Sequence, residues 1–242
     1  MIPAPAFLAN PERFMAFSRW AAPMFGVIAV VLAAVGLYLG FTAPPDYQQG
    51  LTIRIMFIHV PAAQVSMFAY LCLGIASFLA LVFRHALADA AAQAVAPLGA
   101  AFAFLTLVTG ALWGRPMWGA WWVWDARLTS VLVLFLLYIA YMALRASLDD
   151  EAKAARAAAI LALVGTINLP IIHYSVEWWN SLHQGSSIFA EGGPAMPPVF
   201  LIPLLLMSLA YLSAFGSLWL VRIRGEVWRR RAEAAALRAA RG

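Results

Sequence analysis

The sequence predicts an all-α, polytopic membrane protein of six transmembrane helices, with outer-face loops and short amphipathic pieces. The 242-residue chain is 64% hydrophobic and 11% charged, with a mean hydropathy of +0.83. Soluble domains carry about 25% charged residues, which excludes that class. Six apolar runs are each long enough to cross hydrocarbon, which takes about 20 helical residues. Because the connections are short and no run repeats another, residues 1–242 are predicted to form a single membrane domain.

The predicted helices lie at about 21–41, 61–83, 94–112, 128–144, 157–176 and 199–221. Two arginines precede the first run and no small-residue cleavage site follows it, which indicates a retained helix rather than a signal peptide. In the second run, Pro61 is expected to mark the start of the membrane helix, with His59 just before it. In the fifth run, Pro170 lacks an N–H group and is expected to kink the helix.

Basic residues are distributed unevenly between the connections. If six helices alternate, thirteen of the 16 lysines and arginines fall on one side, and Arg54, Arg115 and Arg127 fall on the other. Cytoplasmic loops are rich in Lys and Arg, so both termini are expected in the cytoplasm and the tryptophan-rich segment outside. The basic tail at 222–242 is predicted to be a short cytoplasmic helix lying on anionic lipid headgroups rather than a nucleic-acid footprint.

Missing motifs exclude several function classes. The sequence has no Gly-Lys dipeptide and therefore no Walker A loop, so energy from ATP would have to come from a partner chain. The single cysteine, Cys72, permits neither an internal disulfide nor a cysteine-based metal site. No charged residue falls in the central part of a predicted helix, which argues against ion-coupled transport.

The segment 113–130, WGRPMWGAWWVWDARLTS, is the most informative stretch and is predicted to be an outer loop. It holds Trp113, Trp118, Trp121, Trp122 and Trp124, half of the ten tryptophans of the chain. An indole offers a large flat apolar face and one N–H donor, so the cluster could stack on a flat ligand or anchor the loop in the membrane interface. An interfacial belt alone predicts one or two such residues at each helix end, and five in one loop exceed that number.

Two outer histidines are candidate metal ligands. His59 and His183 lie on different outer loops beside aromatic residues, which makes them the best candidates for ligands on opposite faces of one metal. Neutral imidazole suits iron, and an axial histidine is a usual haem ligand. Taken singly, a histidine near a helix end is most often a polar residue at the interface. His173 is expected to hydrogen-bond within the bundle, and His85 on the inner side is expected to be ordinary.

The charges of the tryptophan-rich segment allow two interpretations. Asp125 could cap the fourth helix or form a local ion pair with Arg127. Alternatively, Arg127 or Arg115 could bind a ligand carboxylate through two parallel hydrogen bonds. Ser181 with His183 is a weak candidate for a nucleophile and its base.

The stretch WGAWWVWDARLT, residues 118–129, resembles the signature W-G-x-x-W-x-W-D-x-R-L-T (the WWD motif) of haem-handling membrane proteins, without a mismatch. Six helices and one outer histidine on each side of this motif make the chain most similar to the CcmC family of haem exporter proteins in Gram-negative bacteria.

This resemblance implies a protein of the bacterial inner membrane that presents haem b at the periplasmic face and delivers it to the haem chaperone CcmE for c-type cytochrome biogenesis. It implies a transfer protein rather than an enzyme, working beside an ABC transporter of CcmA and CcmB with the small protein CcmD. The site it implies has His59 and His183 as iron ligands and is completed by Trp113, Trp118, Trp121, Trp122, Trp124, Asp125, Arg127 and Arg115.

The residues alone leave other apolar ligands open. A membrane enzyme or subunit could act on a quinone or lipid-linked substrate at the outer leaflet, with His183 as base, and a purely structural transporter subunit is a third possibility.

The basic asymmetry predicts the topology directly. A reporter fused after Gly242 should be active only in the cytoplasm, and one inserted at 186–196 only outside, because the positive-inside rule orients the helices. Reporter activity in intact cells measures this. The reverse pattern would overturn the location of every site named above.

Overall fold

A computed structural model describes residues 10–183 and 196–240 and confirms the all-α class. The structure is 86% helical, and its described residues form no strand beyond one isolated bridge between Asp46 and Gly50. The helices are α1 (Pro11–Thr42), a 3₁₀ turn (Leu51–Ile55), α2 (Met56–Phe83), α3 (Ala86–Trp118), α4 (Ala126–Ser147), α5 (Glu151–Gly165), α6 (Asn168–Trp178) and α7 (Pro198–Ala239).

Six stretches of the described chain are long and apolar enough to cross a membrane, as predicted. They are α1, the 3₁₀ turn with α2, α3, α4, α5 with α6, and α7. Several helices extend well beyond the predicted spans, since good helix formers continue past the apolar runs. The chain is therefore a multi-pass membrane protein whose helices project beyond the roughly 30 Å of hydrocarbon.

One end of the bundle, here called the basic end, is held together by ion pairs. Asp89 on α3 accepts hydrogen bonds from Arg145 on α4 at 2.7 Å and from Arg230 on α7 at 2.6 Å. Arg224 of α7 also donates to the Met15 carbonyl near the start of α1, at 3.0 Å. The first and last described residues therefore lie at this same end.

The predicted separate tail helix is not observed. Residues 222–239 continue α7 without a break, and Ile223 and Val227 pack against α3. Glu226 pairs with Arg229 and Arg230 at separations of three and four residues, a spacing that stabilises a helix. Strong helix formers and these pairs explain why the polar tail stays helical.

The break in the fifth span confirms the kink predicted at Pro170. α5 ends at Gly165 and α6 begins at Asn168, so the interruption lies just before the proline. Pro170 has no N–H to donate to the Thr166 carbonyl, one helical turn earlier. Asn168 fixes the new direction of α6 by donating from its amide to the Ser130 carbonyl of α4, at 2.9 Å.

The predicted start of the second span at Pro61 is wrong. α2 begins at Met56, directly after the 3₁₀ turn, so His59 and Pro61 both lie inside the helix. Pro61 cannot donate a hydrogen bond to the Phe57 carbonyl, yet α2 continues through it to Phe83. His59 is consequently held by a helix rather than by a loop.

Two buried tyrosines lie at the centre of the core between α2, α3, α4 and α5. Tyr70 and Tyr138 meet edge to face with ring centroids 5.0 Å apart, and both are fully buried. Tyr138 donates to the Ser66 carbonyl at 2.8 Å, which satisfies its hydroxyl. A Cβ atom at Gly99 would lie 2.1 Å from the Tyr138 ring, so only glycine permits this approach of α3 and α4. This core packs together the helices that carry the site, which lies at the opposite, tryptophan-rich end of the bundle.

Candidate functional site

The tryptophan-rich end is built mostly from helix ends. Of the segment 113–130 predicted to be a loop, residues 113–118 form the last turns of α3 and residues 126–130 begin α4. Gly119 ends α3 with φ of +76°, a left-handed conformation that glycine adopts without strain, and its carbonyl accepts from the Arg115 guanidinium. The connection itself is only residues 119–125.

His183 is tied to the start of α4 by the Asp125 carboxylate. Its Nδ1 lies 3.0 Å from Oδ2 of Asp125, and the Ser181 hydroxyl donates to the same oxygen at 2.7 Å. The other oxygen of Asp125 accepts the Leu128 N–H at 2.7 Å, so Asp125 caps α4 as predicted. The Asp125 side chain is only 5% exposed.

The charge states of this pair follow from its surroundings. Burial opposes ionisation of Asp125, but hydrogen bonds from Leu128, Ser181 and His183 outweigh it and lower the pKa of the carboxyl. Burial also lowers the pKa of His183, although Asp125 acts in the opposite direction. At neutral pH the imidazole is therefore uncharged and donates its single proton from Nδ1 to the carboxylate. The Nε2 lone pair remains available to bind a metal.

The His59 imidazole also carries its proton on Nδ1, but its hydrogen-bond partner is a neutral hydroxyl. Its Nδ1 lies 3.0 Å from the Thr109 hydroxyl oxygen on α3. That hydroxyl gives its own proton to the Leu105 carbonyl at 2.7 Å, so it can only accept from His59. A Cβ at Gly110 would lie 3.1 Å from the ring, which explains why glycine stands beside the imidazole. His59 therefore also has an unprotonated Nε2, to which no described residue donates a hydrogen bond.

Each of these histidines contacts one tryptophan of α3. Trp113 meets His59 edge to face with centroids 5.7 Å apart, and Trp118 meets His183 at 4.9 Å. Trp113 is fixed by donating its indole N–H to the Gln49 side chain at 2.9 Å. The two candidate ligands, although 124 positions apart in the chain, therefore both border the last turns of α3.

The five tryptophans do not form one flat surface. Trp121 and Trp124 are 57% and 76% exposed, and Trp122 meets Trp124 at an interplanar angle of 79°. The Trp122 indole nitrogen is buried without a partner among the described residues. The cluster thus divides into two rings that border the histidines, two that face outward, and the half-buried Trp122 beside Trp124.

The predicted ion pair between Asp125 and Arg127 is not formed. Arg127 turns to α6 instead, where it donates to the Ser175 hydroxyl at 3.2 Å and to the His173 carbonyl at 3.3 Å. Asp125 is already occupied by its cap and by His183. Arg127 consequently ties α4 to α6, whereas Arg115 is exposed at the end of α3.

The expectation that His173 hydrogen-bonds within the bundle is wrong. Ile172 and Ser175 occupy the buried face of α6, and the His173 ring is exposed beside Tyr174, with centroids 4.7 Å apart. His85 lies at the basic end and caps α3, as its Nδ1 accepts the Ala88 N–H at 3.2 Å.

Ser181 and His183 do not have the geometry of a nucleophile and its base. In a serine triad the hydroxyl faces Nε2 of the histidine and the carboxylate faces Nδ1. Here Ser181 lies on the Nδ1 side, 3.4 Å from that nitrogen, and gives its proton to Asp125. His183 therefore does not activate it as a nucleophile.

Within the part of the chain that the structure describes, no group of three or more His, Cys, Asp or Glu residues could hold a bare metal ion. Two free imidazole nitrogens instead suit an iron that brings its other four ligands with a porphyrin.

The sequence did not predict the hydrogen-bond partners of the two histidines. Thr109 is 50 positions from His59 and Asp125 is 58 from His183. No local pattern links either pair, so tertiary structure was needed to find them.

A family model described as "Heme exporter protein C" (CcmC) matches residues 5–238. The chain belongs to the CcmC family. It is 57% identical over 224 residues to the heme exporter protein C of Bradyrhizobium diazoefficiens, covering 93% of this chain and 85% of the relative. It is 48% identical to that of Escherichia coli K12 over 218 residues, 90% of this chain and 88% of the relative. A putative cytochrome c biosynthesis ccmC-like mitochondrial protein of Marchantia polymorpha is 42% identical, covering 90% of this chain and 92% of the relative.

The hydrogen bonds predict the tautomers of both histidines in this CcmC family member. In the protein without haem, His59 and His183 should carry the proton on Nδ1, as ¹⁵N spectra of histidine-labelled protein in micelles can measure. Asp125→Asn should move the proton of His183 to Nε2, because the amide NH₂ now faces Nδ1. His59 is the internal control and should not change. An Nε2–H tautomer at either histidine of the wild type would contradict the assigned hydrogen bonds.

Proposed function

We propose that the protein binds haem b at the periplasmic face of the bacterial inner membrane and delivers it to the chaperone CcmE for c-type cytochrome biogenesis. One observation carries this proposal: two imidazoles border the end of α3, each with Nδ1 engaged and with no hydrogen bond to Nε2 from any described residue. Relatives named heme exporter protein C, at up to 57% identity among those cited above, support haem as the cargo.

Different residues at this site would bind different parts of the haem. His59 and His183 supply the two axial nitrogens, while Trp113 and Trp118 provide apolar contact beside them. Trp121, Trp122 and Trp124 extend the apolar surface outward. Arg115 is exposed at the end of α3 and donates only to the nearby Gly119 carbonyl among the described residues. It is therefore better placed to bind a carboxylate of the cargo than Arg127, which is held by two contacts to α6.

Family membership supports a haem exporter complex, and the specific partners are part of the proposal. We propose that CcmA and CcmB supply ATP-driven steps, since this sequence has no Walker A loop, and that CcmD and membrane lipid complete the assembly. The basic end faces the cytoplasm in this proposal, with both termini there. The cluster around Asp89 supports this orientation because it brings Arg145 and Arg230, two of the thirteen basic residues counted on the inner side, together at one end of the bundle.

The alternative, an enzyme acting on a quinone or lipid-linked substrate with His183 as base, finds less support. Ser181 lies on the Nδ1 side of the His183 ring and gives its proton to Asp125, so His183 has no nucleophile to activate there. The relatives named heme exporter protein C also support haem transfer over catalysis. We therefore propose a transfer protein rather than a catalyst.

Replacing either ligand tests the haem site. His59→Ala and His183→Ala should each leave the protein in the membrane but change the Soret band of the haem-loaded protein, because one axial nitrogen is lost. Added imidazole should partly restore the spectrum by filling the vacant position. His85→Ala, at the basic end, is the matched control and should keep the wild-type spectrum. If both ligand variants keep it too, the ligands lie elsewhere, with His173 next.

Different mutations should affect haem retention and haem transfer to the chaperone separately. Trp118→Ala, Trp122→Ala and Trp124→Ala should each weaken haem retention by about 1–3 kcal/mol, the usual range for a lost aromatic contact. Asp125→Ala should keep some haem but transfer less to CcmE, since the orientation of His183 and the α4 cap are lost. Co-purification of haem and chaperone measures both.

Trp228→Ala is the control, because that ring is 57% exposed at the basic end. Normal transfer by Asp125→Ala, with failure of the tryptophan variants alone, would show that the segment acts by apolar contact only.

A further inference from the structure

The two candidate ligands differ in what holds their Nδ1 atoms. His183 donates to a carboxylate, whereas His59 donates to a hydroxyl. Both contacts are 3.0 Å long, so the difference lies in the charge of the acceptor. The inference below rests on the proposed function, since it concerns how these imidazoles bind a haem.

The acceptor charge changes the donor strength of the imidazole. A hydrogen bond to an ionised acceptor is roughly twice as strong as one between neutral groups. A carboxylate that draws the Nδ1 proton raises the electron density and basicity of Nε2 and strengthens its bond to a metal. The Thr109 oxygen carries no charge, and its own proton is committed to the Leu105 carbonyl.

The carboxylate is also firmly positioned. Asp125 is 5% exposed and is held by donors from Leu128 and Ser181 as well as by His183. Its partner Ser181 accepts the backbone N–H of His183 at 3.1 Å, which closes a small network around that residue. The orientation of His183 is thus fixed by its side chain and by its backbone.

We propose that His183 is the stronger, retained ligand and His59 the weaker one, which an incoming ligand from a partner replaces first during transfer. The exchange breaks one metal–nitrogen bond and forms another, with no change in electron count. Location in the fold alone would suggest the opposite order of ligand strength, because His59 is held within helix α2 whereas His183 lies in the connection after α6. Asp125 is a positioning residue in this proposal, and Thr109 is its neutral counterpart.

The rate of haem loss to excess apomyoglobin tests this order. Loss should be about tenfold or more faster from His183→Ala, which keeps the His59–Thr109 pair, than from His59→Ala, which keeps the His183–Asp125 pair. Groups that accept a hydrogen bond from a metal-binding histidine typically change metal affinity by that factor. Equal rates, or faster loss from His59→Ala, would overturn the proposed order. Each variant is first checked for a single symmetric peak in gel filtration.

A second variant assigns the difference to the carboxylate. Asp125→Asn keeps the α4 cap, because its amide oxygen still accepts from Leu128. It replaces the ionised acceptor beside Nδ1 of His183 with an NH₂ donor, so the tautomer with an unprotonated Nε2 loses its support. In the His59→Ala background Asp125→Asn should speed haem loss about tenfold. Asp150→Asn, a matched change in the cap of α5 at the basic end, should have no effect. Thr109→Val in the His183→Ala background should change the rate less than Asp125→Asn does.

The midpoint potential of the iron provides a readout that a purely structural role would not move. With both histidines present, Asp125→Asn should raise the potential, because an imidazole bonded to a carboxylate favours the more positively charged ferric iron. Thr109→Val should shift it less, and Thr109→Ser should restore the wild-type value. An unchanged potential in Asp125→Asn would contradict the proposal. If the wild type binds no haem, the proposed function fails as well, whereas equal loss rates from haem-loaded variants overturn only the ligand order.

Discussion

The hydrogen bond from His183 to Asp125 connects parts of the chain that must meet for the site to exist. Asp125 caps α4, and His183 follows α6, so the contact joins the start of one helix to the segment after another. The same carboxylate selects the tautomer of the imidazole and leaves Nε2 free. Because Asp125 is buried, losing its partners would leave an unpaired charge, which is costly. The site and the local fold therefore depend on the same side chain.

This contact requires that α6 approach α4 at a particular angle. The break before Pro170 redirects the fifth span, and Asn168 then holds α6 against the Ser130 carbonyl of α4. Further along α6, Ser175 faces inward and accepts from Arg127. These two contacts bring the residues after α6 to the end of α3, where Trp118 packs against His183.

The sequence was sufficient for features that depend on local patterns. Apolar run length predicted six spans, and Pro170 predicted the interruption. For Asp125 the sequence allowed a helix cap or an ion pair with Arg127, and the structure shows the cap. The sequence-based predictions failed where tertiary contacts determined the result. Arg127 donates to Ser175 instead of pairing with the nearby Asp125. His173 is exposed because Ile172 occupies the buried face of α6. The pairing of His59 with Thr109 gives no sequence signal, since both residues are common in apolar helices and lie 50 positions apart.

The central claim, that one haem is held between His59 and His183, is tested most directly by an electron cryo-microscopy map of the haem-loaded protein in its membrane complex. The account predicts iron between the two Nε2 atoms, a porphyrin edge beside Trp118, and Nδ1 hydrogen bonds to Asp125 and Thr109 still in place. Porphyrin density elsewhere in the complex, with both Nε2 atoms free, would contradict it.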